Sequence, residues 1–475
     1  MPPEVVETHV SLLFLVGSRV YKVRKPVRYG FVDFTTREAR QHDCARELVL
    51  NRPYAPDVYL GVLDVVADGE PVDHAVVLRR MPAGRRLSVL VAERRLLPSD
   101  LRAIVGRVCD VDRLAQRSPA IDRHATAEAL LAGWRSNAAE VAPFVGSLLD
   151  ERRDRRIAAL AAAFLEGRRP LLDERVAAGR VRDGHGDLRA EDVYCLEDGP
   201  RILDCVEFDD DLRAVDIVAD LSFLAMDLER LGGSSLADAL ESAYVERTGD
   251  RAPRSLWWHY AAAHAYVRAK VACLSAAAGL AGLEEARALH ARTEALLERA
   301  EVRLVLVGGL PGAGKTTLST ALAPVLQAEV LHSDVVRAAL VEEGAVAHDD
   351  RYGASATAAT YETLVRRAGQ LLASGRSVVL DASWQDARRR AAARAVARAT
   401  SSALDELVCS APEPVRAARL AARRRGGPGS SEATAAVARA MAATSDPWPE
   451  AWSVDASGPP VTVLERARRA LRPDR

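Results

Sequence analysis

The residues whose chemistry is easiest to name form a glycine-rich run in the last third of the chain. Residues 309–317, Gly-Leu-Pro-Gly-Ala-Gly-Lys-Thr-Thr, have the spacing G-x-x-x-x-G-K-[ST] and follow an apolar run that predicts a buried strand. Backbone N–H groups of such a loop, and of the helix that begins in it, surround phosphate groups. We expect Lys315 to reach the β- and γ-phosphates of ATP and the Thr316 hydroxyl to hold Mg²⁺. The predicted phosphate-binding residues are Gly309, Gly312, Ala313, Gly314, Lys315, Thr316 and Thr317.

Acidic residues stand at the ends of the next two predicted strands. Asp334 follows residues 330–333, Arg337 comes one helical turn later, and Asp381 ends the apolar residues 377–381. Ligands of parallel sheets bind beyond the carboxyl ends of the strands, so Asp334 is placed to orient an acceptor hydroxyl and take its proton. Arg337 suits an anionic group of the substrate, and Asp381 suits the outer shell of Mg²⁺. Capping a helix N-terminus is the alternative role for Asp334.

A group of arginines precedes the glycine-rich residues 426–431. It comprises Arg416, Arg419, Arg423, Arg424 and Arg425. A helix that closes over bound phosphates with its arginines would have this pattern. We therefore interpret Arg419 and Arg423 as substrate or lid residues. A solvated helix face is the alternative for any one arginine of the group.

A second set of polar residues lies in the first 300 positions. His185-Gly-Asp-Leu-Arg-Ala-Glu-Asp192 has the H-x-D-x-x-x-x-N spacing of a kinase catalytic loop, with aspartate in place of the asparagine. In this pattern Asp187 takes the proton of the acceptor hydroxyl, and Asp192 and Asp204 ligate Mg²⁺. Upstream, Lys22 and Glu47 match the Lys–Glu pair that positions ATP phosphates. These five residues predict a second nucleotide site.

The elements that must position the two sets of residues differ. Strand-like runs occupy residues 303–307, 330–333, 377–381 and 406–409, with a weaker one at 461–464. They alternate with helical segments, which predicts an α/β P-loop NTPase fold with a mainly parallel sheet. We place this C-terminal domain at residues 300–475.

The N-terminal part has strands first and helices afterwards. Residues 11–16 and 19–24 predict a hairpin, Thr35-x-x-Glu38 predicts a capping box at the start of a helix, and residues 58–66 and 75–80 predict two more strands. Mostly helical sequence follows from Leu87. This order predicts a two-lobed α+β fold at residues 1–299, with a small lobe at about 1–82 and a helical lobe at about 83–299.

Composition excludes several classes of protein. A net charge of −1 over 475 residues is too balanced for a nucleic-acid binder identified by charge alone. The six cysteines lack paired spacing, no apolar run reaches the length of a membrane span, and the N-terminus has no basic segment typical of a signal peptide. We expect a cytoplasmic protein without a membrane partner. Only four of the 65 arginines and lysines are lysines, namely Lys22, Lys25, Lys270 and Lys315.

The N-terminal motifs resemble those of the aminoglycoside phosphotransferase family. There His-Gly-Asp, an Ile-Asp strand and an Asp-Leu-Ala-like segment recur, and here they are residues 185–187, Leu203-Asp204 and residues 216–222. The resemblance covers about residues 8–290 and implies a bilobal protein-kinase-like fold that uses ATP and Mg²⁺. Two positions depart from the family: Asp192 replaces asparagine, and Arg189 stands where histidine is frequent. Aspartate can ligate Mg²⁺, but it adds negative charge beside Asp187 and Asp204.

The C-terminal motifs resemble the P-loop small-molecule kinases grouped with gluconate kinase, polynucleotide kinase and the zeta-toxin kinases. The resemblance covers about residues 302–470 and rests on the phosphate loop, Ser333-Asp334 with Arg337, Asp381 and the arginines of the predicted lid. The pairing of the two domains looks like the proteins described as bifunctional aminoglycoside phosphotransferase/ATP-binding proteins.

Three functional hypotheses follow. In the first, both domains transfer the γ-phosphate of ATP to hydroxyls of small molecules. In the second, only the P-loop domain is active, and the N-terminal domain is a regulatory binding module. In the third, the chain is a toxin-like or nucleic-acid-end kinase, although it lacks basic stretches interleaved with aromatic residues.

Overall fold

The chain divides into two units in the computed structural model, which describes residues 4–8, 10–29, 32–277, 282–424 and 434–471. The first unit comprises Met1–Asp150, Leu172–Ala252 and Leu256–Leu296. The second comprises Glu151–Leu171, Pro253–Ser255 and Leu297–Arg475. The early segment Glu151–Leu171 thus belongs to the second unit, although the border predicted near residue 300 assigns it to the first. Buried Arg168 contributes to this grouping, because its guanidinium donates to the carbonyl oxygens of Leu372, at 2.9 Å, and Thr400.

The first unit contains an antiparallel sheet with Lys22 near its middle. Its strands, in spatial order, are Glu4–Glu7, Ser11–Val16, Arg19–Arg24, Glu70–Arg79 and Tyr59–Ala67. Lys22 pairs with Leu13 on one side and Val76 on the other. The β-branched and aromatic residues of its strand, Val20, Tyr21 and Val23, favour the strand conformation. The strands of the predicted hairpin, Ser11–Val16 and Arg19–Arg24, have the bounds that the sequence predicted.

One helix packs against this sheet and carries Glu47. It spans Arg37–Asn51, and its N-cap is Thr36, whose hydroxyl accepts from the backbone N–H of Ala39 at 3.2 Å. The capping box predicted from Thr35 is therefore wrong by one residue. Cys44, on the same helix, packs in a core with Val58, Val76 and other apolar residues of the two last strands of the sheet. This packing fixes the helix face on which Glu47 lies.

Short strand pairs and helices make up the rest of the first unit. The pairs are Arg28–Tyr29 with Val32–Asp33, Val181–Asp183 with Ala214–Asp216, and Val193–Leu196 with Gly199–Ile202. The helices are Leu87–Ala92, Pro98–Leu114, Pro119–Asp122, Ala127–Val141, Arg169–Ala177, Ile217–Gly232, Ser234–Thr248, Arg254–Ala277 and Leu283–Ala300, of which Arg169–Ala177, Arg254–Ala277 and Leu283–Ala300 also include residues of the second unit. The predicted α+β organisation, with strands first and helices afterwards, is confirmed.

The second unit is built on a parallel sheet. Its strands, in spatial order, are Glu329–His332, Val378–Asp381, Arg303–Gly308, Ala403–Ser410 and Trp452–Asp455, and every neighbouring pair is parallel. The helices of this unit are Glu151–Gly167, Lys315–Leu326, Ser333–Glu342, Ala354–Ala373, Ala387–Ala399, Glu413–Arg424, Ala435–Thr444 and Pro460–Ala470. The predicted α/β P-loop fold with a mainly parallel sheet is confirmed.

The last strand lies elsewhere than the sequence predicted. The apolar residues 461–464 belong to the helix Pro460–Ala470, and the edge strand is Trp452–Asp455. Proline at the first turn favours a helix start, and Val463 and Ala467 form one buried face of that helix. A run of four apolar residues fits either element. In the described part of the chain, no helix combines the length and apolar character needed to cross a bilayer.

Candidate functional site

The phosphate loop of the second unit has the backbone that its glycines allow. Gly309, Gly312 and Gly314 have φ values of 131°, 77° and 104°. A Cβ on Gly312 would lie 2.7 Å from the carbonyl oxygen of Arg416, so position 312 excludes any side chain both by conformation and by space. The following helix begins at Lys315 and leaves its first N–H groups directed at the loop. This arrangement forms a cradle for phosphate oxygens.

Three side chains meet at the carboxyl end of the central strands. The Thr316 hydroxyl donates to Oδ2 of Asp381 at 2.7 Å, and Nδ1 of His332 lies 2.8 Å from the same oxygen. His332 is opposite Asp381 in the strand register. Thr316 and Asp381 were predicted from the sequence, but His332 was not, because its only signal is its position one residue before Ser333.

These oxygens fit Mg²⁺ in chemical type. Carboxylate and hydroxyl oxygens are hard donors, and Mg²⁺ sites commonly use one or two protein oxygens beside substrate phosphates. Across the described ranges, no group of three or more His, Cys, Asp or Glu side chains is arranged to hold a metal ion by itself. Thr316 and Asp381 are therefore the residues that would hold Mg²⁺ together with a nucleotide.

Asp334 and Arg337 occupy the first turns of the helix that follows His332. Asp334 is exposed in the first turn, and the N-cap position is His332, so Asp334 is not the N-cap residue. The Arg337 guanidinium lies 5.0 Å from the ring centre of Tyr352 and donates to the carbonyl oxygen of Arg351 at 3.1 Å. Arg337 is thereby held beside an exposed aromatic ring.

The arginines of the predicted lid helix have different surroundings. Arg419 donates to the carbonyl oxygens of Gly312, at 3.4 Å, and Ala456, at 2.8 Å. Its guanidinium therefore connects the backbone of the phosphate loop to the backbone at Ala456. Arg416 is half-buried, and its Nε and Nη1 atoms have no hydrogen-bond partner within the described segments. The side chain of Arg423 and residues 425–433 lie outside the described residues.

The first unit brings Lys22, Glu47 and Asp204 into direct contact. The Lys22 Nζ atom lies 2.9 Å from Oε1 of Glu47 and 2.8 Å from Oδ1 of Asp204. Burial alone would lower the pKa of Lys22, but the Asp204 and Glu47 carboxylates outweigh it and raise that pKa above its usual value. Lys22 in turn holds the pKa of Asp204 well below its usual range. Lys22 and Asp204 are therefore both charged at neutral pH.

Arg24 also contacts Glu47, and the sequence motifs did not predict it. Its guanidinium is buried and donates to Asp43 at 2.5 Å, to Glu47 at 2.8 Å and also to Glu207. Glu47 is thus shared between Lys22 and Arg24. The period-two spacing of Lys22 and Arg24 along one strand places both on the same face of the sheet.

The loop at residues 185–192 is anchored by a buried carboxylate. Asp220 accepts from the backbone N–H groups of His185, at 2.7 Å, and Gly186, at 2.8 Å. Burial raises the pKa of Asp220 to about 6, although these two hydrogen bonds oppose the shift. Gly186 has a φ of 84°, and a Cβ there would lie 2.9 Å from the carbonyl oxygen of Leu212. Asp220 lies in the segment 216–222 of the family resemblance but was not predicted as a site residue.

Asp187 and Asp192 are joined by Arg189. The Arg189 guanidinium lies 3.3 Å from Oδ2 of Asp187 and 2.9 Å from Oδ2 of Asp192. Burial raises the pKa of Asp187, with the nearby Asp204 acting in the same direction and Arg189 opposing it. His185, the first residue of the loop, is buried. Burial lowers its pKa to about 4, so its ring is neutral at pH 7. The predicted N-terminal residues therefore lie in two ion-pair groups. One joins Lys22 to Glu47 and Asp204, and the other joins Arg189 to Asp187 and Asp192.

Comparisons with known proteins agree with this description. A protein-family model described as an AAA domain matches residues 304–448, which confirms the predicted C-terminal P-loop domain. Uncharacterized proteins of Mycobacterium bovis and Mycobacterium tuberculosis are 38% identical over 465 residues, covering 96% of this chain and 93% of theirs. The match therefore extends over both units.

Solved structures similar to parts of the chain are less close. A sugar kinase from Janibacter sp. is 21% identical, covering 36% of this chain and 94% of its own, with a TM-score of 0.28. A choline/ethanolamine kinase family protein from Mesorhizobium loti is 16% identical, covering 63% of this chain and 88% of its own, with a TM-score of 0.40. The APS kinase of Mycobacterium tuberculosis in complex with AMPPNP and APS is 20% identical, covering 35% of this chain and 98% of its own, with a TM-score of 0.27.

Proposed function

The chain belongs to the same family as the mycobacterial proteins that are 38% identical to it, and we propose that this two-domain kinase transfers the γ-phosphate of ATP to a hydroxyl group of a small molecule. The observation that carries the proposal is the contact between Thr316 and Asp381 at the phosphate loop, 2.7 Å between oxygens. A loop that binds phosphates beside two hard oxygen donors is suited to Mg²⁺-nucleotide chemistry.

The residues around the phosphate loop divide the chemical work. Lys315 and the loop N–H groups bind the triphosphate and counter its charge. Thr316 and Asp381 would hold Mg²⁺, which when bound neutralises charge on the phosphate oxygens. Asp334 takes the proton of the acceptor hydroxyl, since it follows the strand that pairs with the Asp381 strand. Arg337 holds an anionic group of the acceptor.

The first unit supplies the second nucleotide site in this proposal. Lys22, positioned by Glu47, binds phosphates, and Asp204 with Asp192 would hold Mg²⁺. Asp187 is the base for the acceptor hydroxyl. The contact of Lys22 with both Glu47 and Asp204 supports this assignment.

The proposed domains are residues 1–299 and 300–475. The proposed location is the cytoplasm. The six cysteines are free and buried, which supports a reducing compartment.

A second candidate function is favoured by one observation. Arg189 contacts both Asp187 and Asp192, so a cation of the chain already occupies the carboxylates that catalysis would use. In this candidate, the first unit only binds a nucleotide or metabolite and regulates an active P-loop domain.

Turnover of ATP against a panel of small hydroxyl compounds separates these functions. We expect Lys315→Ala to lower turnover at the C-terminal site by at least about a hundredfold, because a preorganised cation at the phosphates is lost. Lys270→Ala is the matched control, since Lys270 pairs with exposed Glu140 at 3.0 Å outside either site. Full turnover of every acceptor in Lys315→Ala would contradict the C-terminal assignment.

The companion variant is Asp187→Ala. Loss of turnover for an acceptor that still reacts in Lys315→Ala would support a catalytic first unit. If Asp187→Ala changes no turnover while the first unit still binds nucleotide, the binding-module function is correct.

A further inference from the structure

We propose that Arg189 is an internal counter-cation of the N-terminal site, which keeps divalent metal out until a nucleotide enters. This inference rests on the proposed function, because it assigns a nucleotide site to the first unit. It concerns the two positions at which the catalytic loop departs from its family pattern, Arg189 and Asp192. The structure places these two departures in one ion pair, with 2.9 Å between the guanidinium and Oδ2 of Asp192.

Every acidic side chain that would hold metal or take a proton in this site already has a cationic partner. Lys22 contacts Asp204 at 2.8 Å, and Arg189 contacts Asp192 at 2.9 Å and Asp187 at 3.3 Å. Within the described ranges, no group of three or more His, Cys, Asp or Glu side chains is arranged to hold a metal ion by itself. A divalent ion that approaches the nucleotide-free site must compete with two side-chain cations.

The charges of Arg189 and Asp192 also offset each other within this ion pair. Burial raises the pKa of Asp192 to about 8, and Arg189 opposes that shift. When ionised, aspartate at position 192 adds a negative charge beside Asp187 and Asp204, and arginine at position 189 adds a positive one. The pair therefore leaves the net charge of the site as it would be with an asparagine and a neutral residue. Either change alone would alter the affinity for both cations and triphosphate, since charges about 4 Å apart interact by several kcal/mol in a partly buried site.

The exposure of the pair distinguishes it from a structural ion pair. Arg189 is 26% exposed and its partners Asp187 and Asp192 are 37% and 16% exposed. In contrast, Arg175 and Asp216, in the same unit, are 7% and 1% exposed, and Asp216 also caps the helix that begins at Ile217. Arg189 is thus accessible to a ligand, whereas Arg175 is buried together with its partner.

A bound triphosphate provides the partners for this exchange. Its oxygens are acceptors for the guanidinium of Arg189 and the ammonium of Lys22, which frees carboxylate oxygens for the metal. Metal and nucleotide then increase each other's affinity, and thermodynamic linkage requires the effect to be reciprocal. Arg189 is a positioning residue in this scheme, because it acts through the carboxylates.

The test uses the full chain carrying Asp381→Asn, which removes a carboxylate of the C-terminal site. Binding of Mn²⁺, as a spectroscopic substitute for Mg²⁺, is measured by electron paramagnetic resonance with and without a non-hydrolysable ATP analogue. We expect Arg189→Ala to tighten Mn²⁺ binding by about tenfold without nucleotide, since about 1.4 kcal/mol corresponds to that factor. The factor by which nucleotide strengthens Mn²⁺ binding should shrink by a similar amount.

Companion variants test the compensation. Asp192→Asn should weaken Mn²⁺ binding, and the double variant Arg189→Ala with Asp192→Asn should return within about threefold of the parent, because the net charge is restored. The matched control is Asp198→Asn, which removes the i,i+3 partner of Arg201 at 2.7 Å in the same unit. It should leave Mn²⁺ binding unchanged, which excludes a general effect of net charge.

The outcomes are distinguishable. Unchanged Mn²⁺ affinity and unchanged nucleotide coupling in Arg189→Ala would overturn the inference and leave Arg189 a structural residue. If Mn²⁺ affinity shifts as expected but the first unit binds no nucleotide, the proposed second nucleotide site is wrong, and so is the exchange of Arg189 onto a triphosphate. If the first unit binds nucleotide but the double variant fails to restore Mn²⁺ affinity, the compensation alone is wrong.

Discussion

The two candidate sites would contact a triphosphate with different parts of the chain. In the second unit the contact surface is backbone: three glycines with positive φ, a helix that begins at Lys315, and few side chains. In the first unit it is a set of ion pairs among Lys22, Glu47, Asp204 and the Arg189 group. A backbone cradle is specified by residues close in sequence, whereas the ion pairs join residues as far apart as 22 and 204.

The two sites should therefore be sensitive to different kinds of substitution. The cradle depends on local conformation, so a single methyl group can disrupt it. The ion-pair site depends on the balance of its charges and on the elements that hold them, so it should respond to changes of charge and to loss of supporting hydrogen bonds.

Asp220→Ala should have the largest effect on stability. It leaves the backbone N–H groups of His185 and Gly186 without their carboxylate acceptor, and we expect the free energy of unfolding of the first unit to fall by about 3 kcal/mol. Urea unfolding measures the loss. Nucleotide binding at the phosphate loop should be unchanged, and its loss would show that the two sites are not independent in this respect.

Gly312→Ala should disrupt the cradle. The new Cβ lies 2.7 Å from a backbone carbonyl oxygen at a φ of 77°, and we expect a cost of about 2 kcal/mol together with loss of nucleotide binding at the C-terminal site. Isothermal titration with an ATP analogue measures the binding. Gly458→Ala is the control, because no atom lies within 4 Å of its Cβ position. Normal binding by Gly312→Ala would contradict a backbone-built site.

His264→Gln should reduce the pH dependence of stability in the first unit. Burial lowers the pKa of His264 to about 4, so the folded protein keeps this ring neutral while the unfolded chain binds a proton below about pH 6.5. The folded pKa is depressed, so the stability is present above pH 6.5 and is lost as pH falls toward 4. Between pH 7.5 and 5.5 this group should cost about 1.3 kcal/mol.

Unfolding free energies of wild type and His264→Gln at the two pH values test this prediction. The decrease on acidification should be smaller in the variant by that amount. His348→Gln, at an exposed position of the second unit, is the control and should follow wild type. Equal pH dependence in all three proteins would contradict the linkage.

Lys270→Ala should have the smallest effect. Lys270 pairs with Glu140, which is 49% exposed, and such pairs contribute about 0.5 kcal/mol or less. Thermal unfolding and turnover should both match wild type. A large loss of turnover would mean that Lys270 takes part in substrate binding. It would then be wrong to assign only Lys22 and Lys315 to the two sites.

The sequence predicted the parts of the sites that local pattern determines. The phosphate loop, the roles of Thr316 and Asp381 toward Mg²⁺ and the hairpin that carries Lys22 were all predicted, because each follows from spacing and alternation. The edge strand was misplaced, because residues 461–464 are too few to distinguish strand from helix, and the proline at position 460 decides for a helix.

The rest required tertiary structure. Arg24, Asp220 and His332 have no motif of their own, and their roles appear only when distant segments meet. Arg419 was expected at a substrate or lid position, but the structure shows it bonded to backbone carbonyls of the phosphate loop, and its role toward a ligand stays a prediction. The grouping of Glu151–Leu171 with the second unit is also invisible in sequence order, because it depends on contacts between residues 168 and 372.

If one chain carries two nucleotide sites, it binds two nucleotides, and the stoichiometry of nucleotide binding measures this. Titration of the full chain with an ATP analogue in the presence of Mg²⁺ should give two bound nucleotides, because the Lys22 group and the phosphate loop each form a site. Lys315→Ala and Lys22→Ala should each reduce the value to one, and the double variant should reduce it to zero. A single bound nucleotide in wild type, lost entirely in Lys315→Ala, would contradict the presence of two nucleotide sites.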